Sequence, residues 1–153
     1  MSLESCTTVW IVAEGNTGSY PFQVRLRQFS MELSKHAFPL RLNVFWSILK
    51  SDDKAYPTKS ELERLHSFEN RLVKAMETDD FAVLTMVLTG RNEREFVLYT
   101  SDRQEFLRRL SQMPSEADPY PIKIYCHEDP RWEYYEKQVA ETGKGLAPSS
   151  PFN

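Results

Sequence analysis

The chain has 153 residues, of which 41% are hydrophobic, and its formal net charge at pH 7 is -3. A chain of this length suits one domain that buries about 68 to 70% of the surface its unfolded form exposes. Lysine and arginine are scattered among acidic residues, so no large positive field attracts a phosphate backbone, which argues against nucleic acid as a partner.

The N-terminal third predicts three strands. Residues 7–13 form a mostly apolar run that turns into a second strand over residues 22–29, and the two predict a hairpin. Residues 40–49 alternate in character, which is typical of a strand with one buried face. One phase of this third strand holds Leu42, Val44, Trp46 and Ile48, and the other holds Arg41, Asn43, Phe45 and Ser47.

A capped helix and two more strands follow. Thr58 and Glu61 fit a capping box, in which the hydroxyl and the carboxylate each satisfy an amide at the start of a helix. Apolar residues then recur at helical spacing to a predicted end near Thr78. Residues 81–88 are apolar on both phases, as in a strand covered on both faces, and a turn leads into a fifth strand over residues 95–100.

Two further helices flank a sixth predicted strand. The second helix begins at Ser101 or Asp102 and stops before Pro114. Residues 122–127 alternate as a strand, and the third helix starts at Asp129.

This order of elements predicts a fold class. From the third strand onward, strand, helix, strand, strand, helix, strand is the order of a ferredoxin-like α+β two-layer sandwich, an antiparallel sheet with two helices on one face. The N-terminal β-hairpin and the C-terminal helix are additions to it. We expect a single domain over residues 5–142 and a flexible tail over residues 143–153, which are rich in Gly, Pro and Ser.

The second sheet face needs a cover. It would carry Phe45, Tyr125 and one apolar phase of residues 81–88, which is more apolar surface than a solvated face usually exposes. We expect the added hairpin, the third helix or another protein molecule to cover it, and the first two need no partner.

Residues 126–135, CHEDPRWEYY, concentrate titratable groups. Cys126 shares its strand phase with apolar residues and should point into the core, so no catalytic role is predicted. His127, Glu128 and Asp129 are consecutive and point in different directions, which disfavours a shared metal ion. We predict no metal and no cofactor.

A structural interpretation fits the same stretch better. Asp129 can accept a hydrogen bond from a first-turn amide, and Pro130 suits the first helical position because its missing donor would have been unpaired there. Trp132, Tyr135 and Val139 then fall on one helical face. The stretch predicts a helix cap followed by an amphipathic anchor.

Three arginines offer an anion site. Arg25, Arg27 and Arg41 could line up on neighbouring strands and hold a phosphate or a carboxylate, although such arginines more often pair with acids across strands. The candidate site for a ligand or partner comprises Arg25, Arg27, Arg41, His127, Glu128, Asp129, Trp132 and Tyr135.

The motifs resemble a known family. Residues 57–61 at the capped helix start, residues 95–99 of the fifth strand and residues 128–135 are similar to the bacterial domain of unknown function 695, over roughly residues 8–138. The most specific element is formed by Asp129, Pro130, Trp132 and Tyr135. The resemblance implies an α+β sandwich in a bacterial cytoplasm with no assigned activity. It also implies a fold similar to the regulator of ribonuclease activity B, which binds an enzyme and does not catalyse.

The leading hypothesis is a non-enzymatic cytoplasmic module that binds another protein or forms a homodimer. A cytoplasmic location agrees with the two cysteines, Cys6 and Cys126, which form no paired motif, and with the absence of a signal core or an apolar run of roughly 20 residues. One alternative is a small-ligand binder or enzyme with a pocket near Asp129, Trp132 and Tyr135. A second alternative is single-stranded RNA binding on exposed sheet aromatics.

Overall fold

The computed structural model describes residues 8–17, 20–29, 33–49, 57–114 and 119–145. The strands are β1 (Thr8–Thr17), β2 (Tyr20–Phe29), β3 (Leu40–Ser47), β4 (Ala82–Gly90), β5 (Glu93–Thr100) and β6 (Ile122–Glu128). The helices are α1 (Lys59–Glu77), α2 (Arg103–Ser111) and α3 (Glu133–Gly145), and a short 3₁₀ turn lies at Lys35–Ala37.

The strands form one antiparallel sheet in the order β1-β2-β4-β5-β3-β6. The segment β4-β5-β3-β6, with its two connecting helices, has the strand order of a split βαββαβ unit. The hairpin β1-β2 extends this unit by pairing β2 with β4. The predicted α+β sandwich, including the added hairpin and C-terminal helix, is therefore confirmed.

The first core lies between the sheet and the helices α1 and α2. Buried residues of α1 recur every three or four positions, at Leu65, Phe68, Leu72 and Met76, because that spacing places them on one helical face. They pack against the phase of β3 that was predicted to be buried and against Phe106 of α2.

Both of these helices begin at predicted caps. The Thr58 hydroxyl accepts a hydrogen bond from the Glu61 amide at 3.4 Å, and the Asp102 carboxylate accepts one from the Glu105 amide at 3.1 Å. The Glu61 side chain was predicted to complete the capping box, but its Oε1 accepts a hydrogen bond from the buried Trp46 indole at 3.0 Å instead. Among the described residues this carboxylate accepts no helix-start amide, so the Thr58 half of the capping box is the half that forms.

The second core answers the question of what covers the other sheet face. Helix α3 and the segment around Phe38 lie over β2, β4 and β5, where Leu26, Met86 and Val97 are buried beneath them. The protein's own chain covers this half of the face. The cover stops short of Phe45 and Tyr125, and Tyr125 is 51% exposed.

The start of α3 differs from the sequence prediction. Asp129 and Pro130 were expected to open the helix, but the helix begins at Glu133, after a turn through Pro130. Trp132 has a left-handed φ of 56° and is fully buried, with its ring stacked on Tyr99 at 4.3 Å. The helix starts later than predicted because the Trp132 ring must first enter the second core.

The predicted tail is only partly described. Helix α3 continues through Gly145, and residues 146–153 lie outside the described residues, as do residue 7 of the first predicted strand and Cys6. In the part of the chain that the structure describes, no helix is both long and apolar enough to cross a membrane.

Replacing Trp132 with alanine should destabilise the fold by about 3 to 5 kcal/mol, the usual cost of truncating a buried aromatic side chain. Trp10 of β1 is half-buried, so the matched change Trp10→Ala should cost clearly less. Urea unfolding followed by circular dichroism measures both. Equal losses would contradict the assignment of Trp132 as the anchor of the second core.

Candidate functional site

A cleft of about 530 Å³ remains on the second sheet face where α3 does not cover it. Its lining residues are Arg41, Asn43, Phe45 and Ser47 from β3, Glu93 and Glu95 from β5, Lys123, Tyr125 and His127 from β6, and Tyr134 from α3. This volume exceeds the lower limit of roughly 300 Å³ for ordinary ligand pockets.

The strand register places opposite charges on either side of Phe45. Glu95 of β5 lies opposite Phe45 of β3, which in turn lies opposite Lys123 of β6. Adjacent strands are about 4.8 Å apart, so Glu95 and Lys123 are separated by about 10 Å at the backbone.

Glu95 forms the floor of the cleft and is only 9% exposed. Its Oε2 atom accepts hydrogen bonds from Asn43 Nδ2 at 2.7 Å and from the Tyr134 hydroxyl at 2.9 Å. Among the described residues, Oε1 of Glu95 has no hydrogen-bond partner. The carboxylate of this cleft-lining side chain is therefore held in place through one oxygen, and its other oxygen is left without a partner among the described residues.

The Tyr134 hydroxyl acts as a donor in this arrangement. Burial, followed by the neighbouring charge of Glu95, raises the pKa of Tyr134 well above its usual value. The phenol therefore keeps its proton at neutral pH and donates a hydrogen bond to Glu95. Because the phenol is uncharged, it does not attract a ligand cation itself.

Asp129 lies behind the cleft at the start of α3. Its Oδ1 accepts the Glu133 amide at 2.7 Å, and its Oδ2 accepts the Tyr99 hydroxyl at 2.7 Å and the Tyr134 amide at 3.2 Å. Burial is the largest single influence on the Asp129 pKa and raises it, but the hydrogen bonds from Tyr99, the two amides and Arg41 together lower the pKa below its ordinary value. Asp129 is thus a buried, charged and fully engaged carboxylate.

Arg41 connects Asp129 with the cleft. Its Nη1 lies 3.2 Å from Asp129 Oδ2, its Nε donates to Asn43 Oδ1 at 2.9 Å, and its guanidinium lies 4.4 Å from the centre of the Tyr134 ring. Since Asp129 neutralises Arg41, the charged cleft residues without an ion pair among the described residues are Glu93, Glu95 and Lys123.

The open end of the cleft is aromatic. The rings of Phe45 and Tyr125 meet edge to face with centroids 5.6 Å apart. His127 and Lys123 are exposed on either side of Tyr125 along β6. An incoming group would meet aromatic faces before it reached the carboxylate at the floor.

The structure does not bring the three candidate arginines together. Arg25 and Arg27 lie on the sheet face that α1 and α2 cover. There they pair with Glu69 and Glu77 of α1, and the Arg27–Glu77 distance is 2.8 Å. Arg41 lies on the opposite face of the sheet. The phases of β2 and β3 place these side chains on different faces, so the three cannot share one anion.

The other candidate residues separate into two groups. His127 lines the cleft, whereas Glu128 is exposed at the end of β6. Trp132 and Tyr135 are buried in the second core, and the indole Nε1 donates to the Phe38 carbonyl at 2.9 Å. Burial raises the pKa of Tyr135 to about 12.

Of the residues that line the cleft, only Arg41 and His127 belong to the predicted candidate site, and the residues that fix the carboxylate, Asn43 and Tyr134, were missed together with Glu95 itself. A signal for Glu95 was present, because it shares a strand phase with Val97 and Tyr99, and an acid on a buried phase is unusual. The hydrogen bond from Tyr134 depends on where α3 docks, which the residue pattern alone did not define.

Two chemical alternatives lose support. Cys126 lies half-buried on the opposite face, and burial raises the pKa of its thiol, which disfavours the reactive thiolate. Across the described ranges, no group of three or more His, Cys, Asp or Glu residues could hold a metal ion. A third alternative, base stacking on RNA, would use Phe45, Tyr99 and Tyr125. The Tyr99 ring is buried under Trp132, whereas the other two residues line the cleft, and the alternative stays a prediction.

The fold and this cleft define an α+β sandwich domain with a small polar cleft on one sheet face. Residues 12–138 match the model of a family of unknown function, DUF695, and the chain belongs to that family. The resemblance inferred from the motifs is confirmed, and the fold similarity to the regulator of ribonuclease activity B stays a prediction. Neither a curated protein nor a solved structure matches the chain.

Asp129→Asn should destabilise the protein by about 2 to 4 kcal/mol at neutral pH. The substitution removes a buried charge, and it places the NH₂ group of the asparagine against groups that donate hydrogen bonds to the carboxylate. The folded pKa of Asp129 is below its unfolded value of about 3.9. The charge therefore stabilises the fold above about pH 4, and this contribution is lost as the pH falls through the folded pKa.

Urea unfolding at a series of pH values measures this difference, which should shrink as the pH falls below the unfolded pKa of about 3.9 and wild-type Asp129 becomes protonated. The matched control is Asp102→Asn at the exposed cap of α2, where asparagine caps as well as aspartate. If the two variants lost equal stability at neutral pH, the central role of Asp129 would be refuted.

Proposed function

We propose that the protein is a non-enzymatic interaction module, acting in the cytoplasm, that regulates or recruits a protein partner by binding a basic segment of it. A lysine or arginine side chain of that segment enters the cleft and pairs with Glu95. The observation that carries the proposal is the carboxylate of Glu95, which lines the cleft and is nine-tenths buried, with Oε2 held by two donors and Oε1 without a hydrogen-bond partner among the described residues.

The charge balance favours a cation over an anion. With Arg41 paired to Asp129, two carboxylates and one ammonium face the cleft, so its formal balance is negative. A guanidinium or ammonium group also gains from lying over the faces of Phe45 and Tyr125. A hydrogen bond to a charged group is worth about 1.5 to 3 kcal/mol, which corresponds to roughly tenfold to hundredfold in affinity.

The state of the titratable groups supports binding without catalysis. Asp129 is engaged by four donors, and the raised pKa of Tyr134 keeps its phenol protonated. General acid–base chemistry uses a pair of groups whose pKa values lie near the working pH and apart from one another. Among the described cleft residues, Glu95 and Tyr134 are instead joined in a fixed donor–acceptor pair.

Peptides that differ only in one central residue, either Arg, Lys, Gln or Glu, should bind in the order Arg or Lys above Gln above Glu. Fluorescence anisotropy of labelled peptides measures these affinities. Glu95→Gln keeps the shape of the side chain but removes its charge, so it should weaken the affinity for the Arg and Lys peptides by about tenfold to hundredfold. The affinity for the Gln peptide should change much less.

Glu63→Gln, an exposed change on α1 at the other face of the sheet, is the matched control and should leave binding unchanged. Free arginine or a polyamine as a competitor separates the two sources of the cation. If free arginine or the polyamine displaced the peptides completely and bound more tightly than they do, the ligand would be a small amine and not a protein partner. Equal binding of the Arg and Glu peptides, or an unaffected Glu95→Gln variant, would refute the proposal.

A further inference from the structure

The strand β1 forms one edge of the sheet, opposite the edge that carries the cleft. Over the described residues it pairs only with β2, through a ten-residue register without a bulge. Edge strands expose backbone donors and acceptors that pair readily with a further strand. Most strands are about five or six residues long, so β1 is a long edge.

This edge lacks the features that usually prevent strand addition. From Thr8 to Ala13 it has no charge and no proline, although 27% of the whole chain is charged. The opposite edge, β6, carries Lys123 and Glu128 within seven residues. Lysine, proline and bulges are the common means of blocking an edge, and β1 uses none of them along this stretch.

Apolar side chains are exposed on both faces of the same edge. Val9 is 60% exposed and Val12 is 37% exposed, and they account for two of the four large exposed hydrophobic residues in the described ranges. The two differ by an odd number of positions, so they project from opposite faces of the sheet. A strand added beside β1 would bury both.

The charges on the neighbouring strand β2 are already neutralised. Arg25 and Arg27 on the neighbouring strand pair with Glu69 and Glu77 of α1, and both guanidinium groups lie within 6 Å of the Trp10 ring centre, at 5.3 and 5.8 Å. A second uncharged strand can therefore approach without meeting an unpaired cation on β2.

We infer that β1 pairs antiparallel with β1 of a second copy of this chain, about a two-fold axis at Ile11, so that two sheets join into one. In this register Ile11 faces Ile11, Val9 faces Ala13 and Trp10 faces Val12. Each pair is apolar and lies on one face, because the paired positions differ by an even number of residues. The segment is thus complementary to itself. A partner of different sequence would need a matching series of apolar residues in the same register.

Ile11 is the position that tests the axis. It packs in neither of the two cores, so a charged side chain there should leave the fold intact. In the pair, two copies of residue 11 face each other directly, and like charges placed in this way oppose pairing.

Sedimentation velocity across a range of concentration should show the wild-type protein in a monomer–dimer equilibrium. Ile11→Lys and Ile11→Glu should each be monomeric, and an equimolar mixture of the two should dimerise again because lysine then faces glutamate. Leu49→Lys, a change at an exposed apolar residue away from β1, should dimerise like the wild type. Circular dichroism confirms that each variant is folded.

A strictly monomeric wild type, or an Ile11→Lys variant that dimerises as the wild type does, would overturn the inference. So would a mixture of the Lys and Glu variants that stays monomeric. The result is independent of the proposed cleft function, since Glu95→Gln should dimerise normally.

Discussion

Asp129 accepts hydrogen bonds from four donors, and the rest of the second face depends on this arrangement. The amides of Glu133 and Tyr134 bind it from α3, while Tyr99 and Arg41 bind it from β5 and β3. One carboxylate therefore caps a helix and attaches that helix to two strands. A buried charge is tolerated there because each of its oxygens is hydrogen-bonded.

The same carboxylate sets the sign of the cleft. By pairing with Arg41, it neutralises a guanidinium that also donates to Asn43, the residue whose amide holds Glu95. By capping α3 it also places Tyr134, whose hydroxyl holds Glu95. The acidity of the floor is thus a consequence of helix docking, and substitutions at Asp129 would alter the cleft as well as the stability.

The elements that could be predicted are those whose signals are local. The phases of β3, the caps of α1 and α2 and the order of strands and helices follow from residue pattern alone, and all are confirmed. The start of α3 could not be predicted, because it depends on the Trp132 ring stacking on Tyr99 across the fold. The prediction that Arg25 and Arg27 share a sheet face with Arg41 was wrong for a similar reason. Strand phase divides the side chains between two faces, but only the pairing of β2 with β4 shows which face meets α1.

The two edges of the sheet differ in a way that bears on both proposals. β6 carries charges and borders the cleft, whereas β1 is uncharged over its first six residues and lies five strand intervals away, about 24 Å at 4.8 Å per interval. A pair joined through β1 would leave both clefts open at the far ends of one continuous sheet. Two weak cation sites held at a fixed separation bind a partner with two basic segments far more tightly than either site alone. Self-association through β1 would therefore raise the affinity of the clefts for such a partner without a change in any cleft residue.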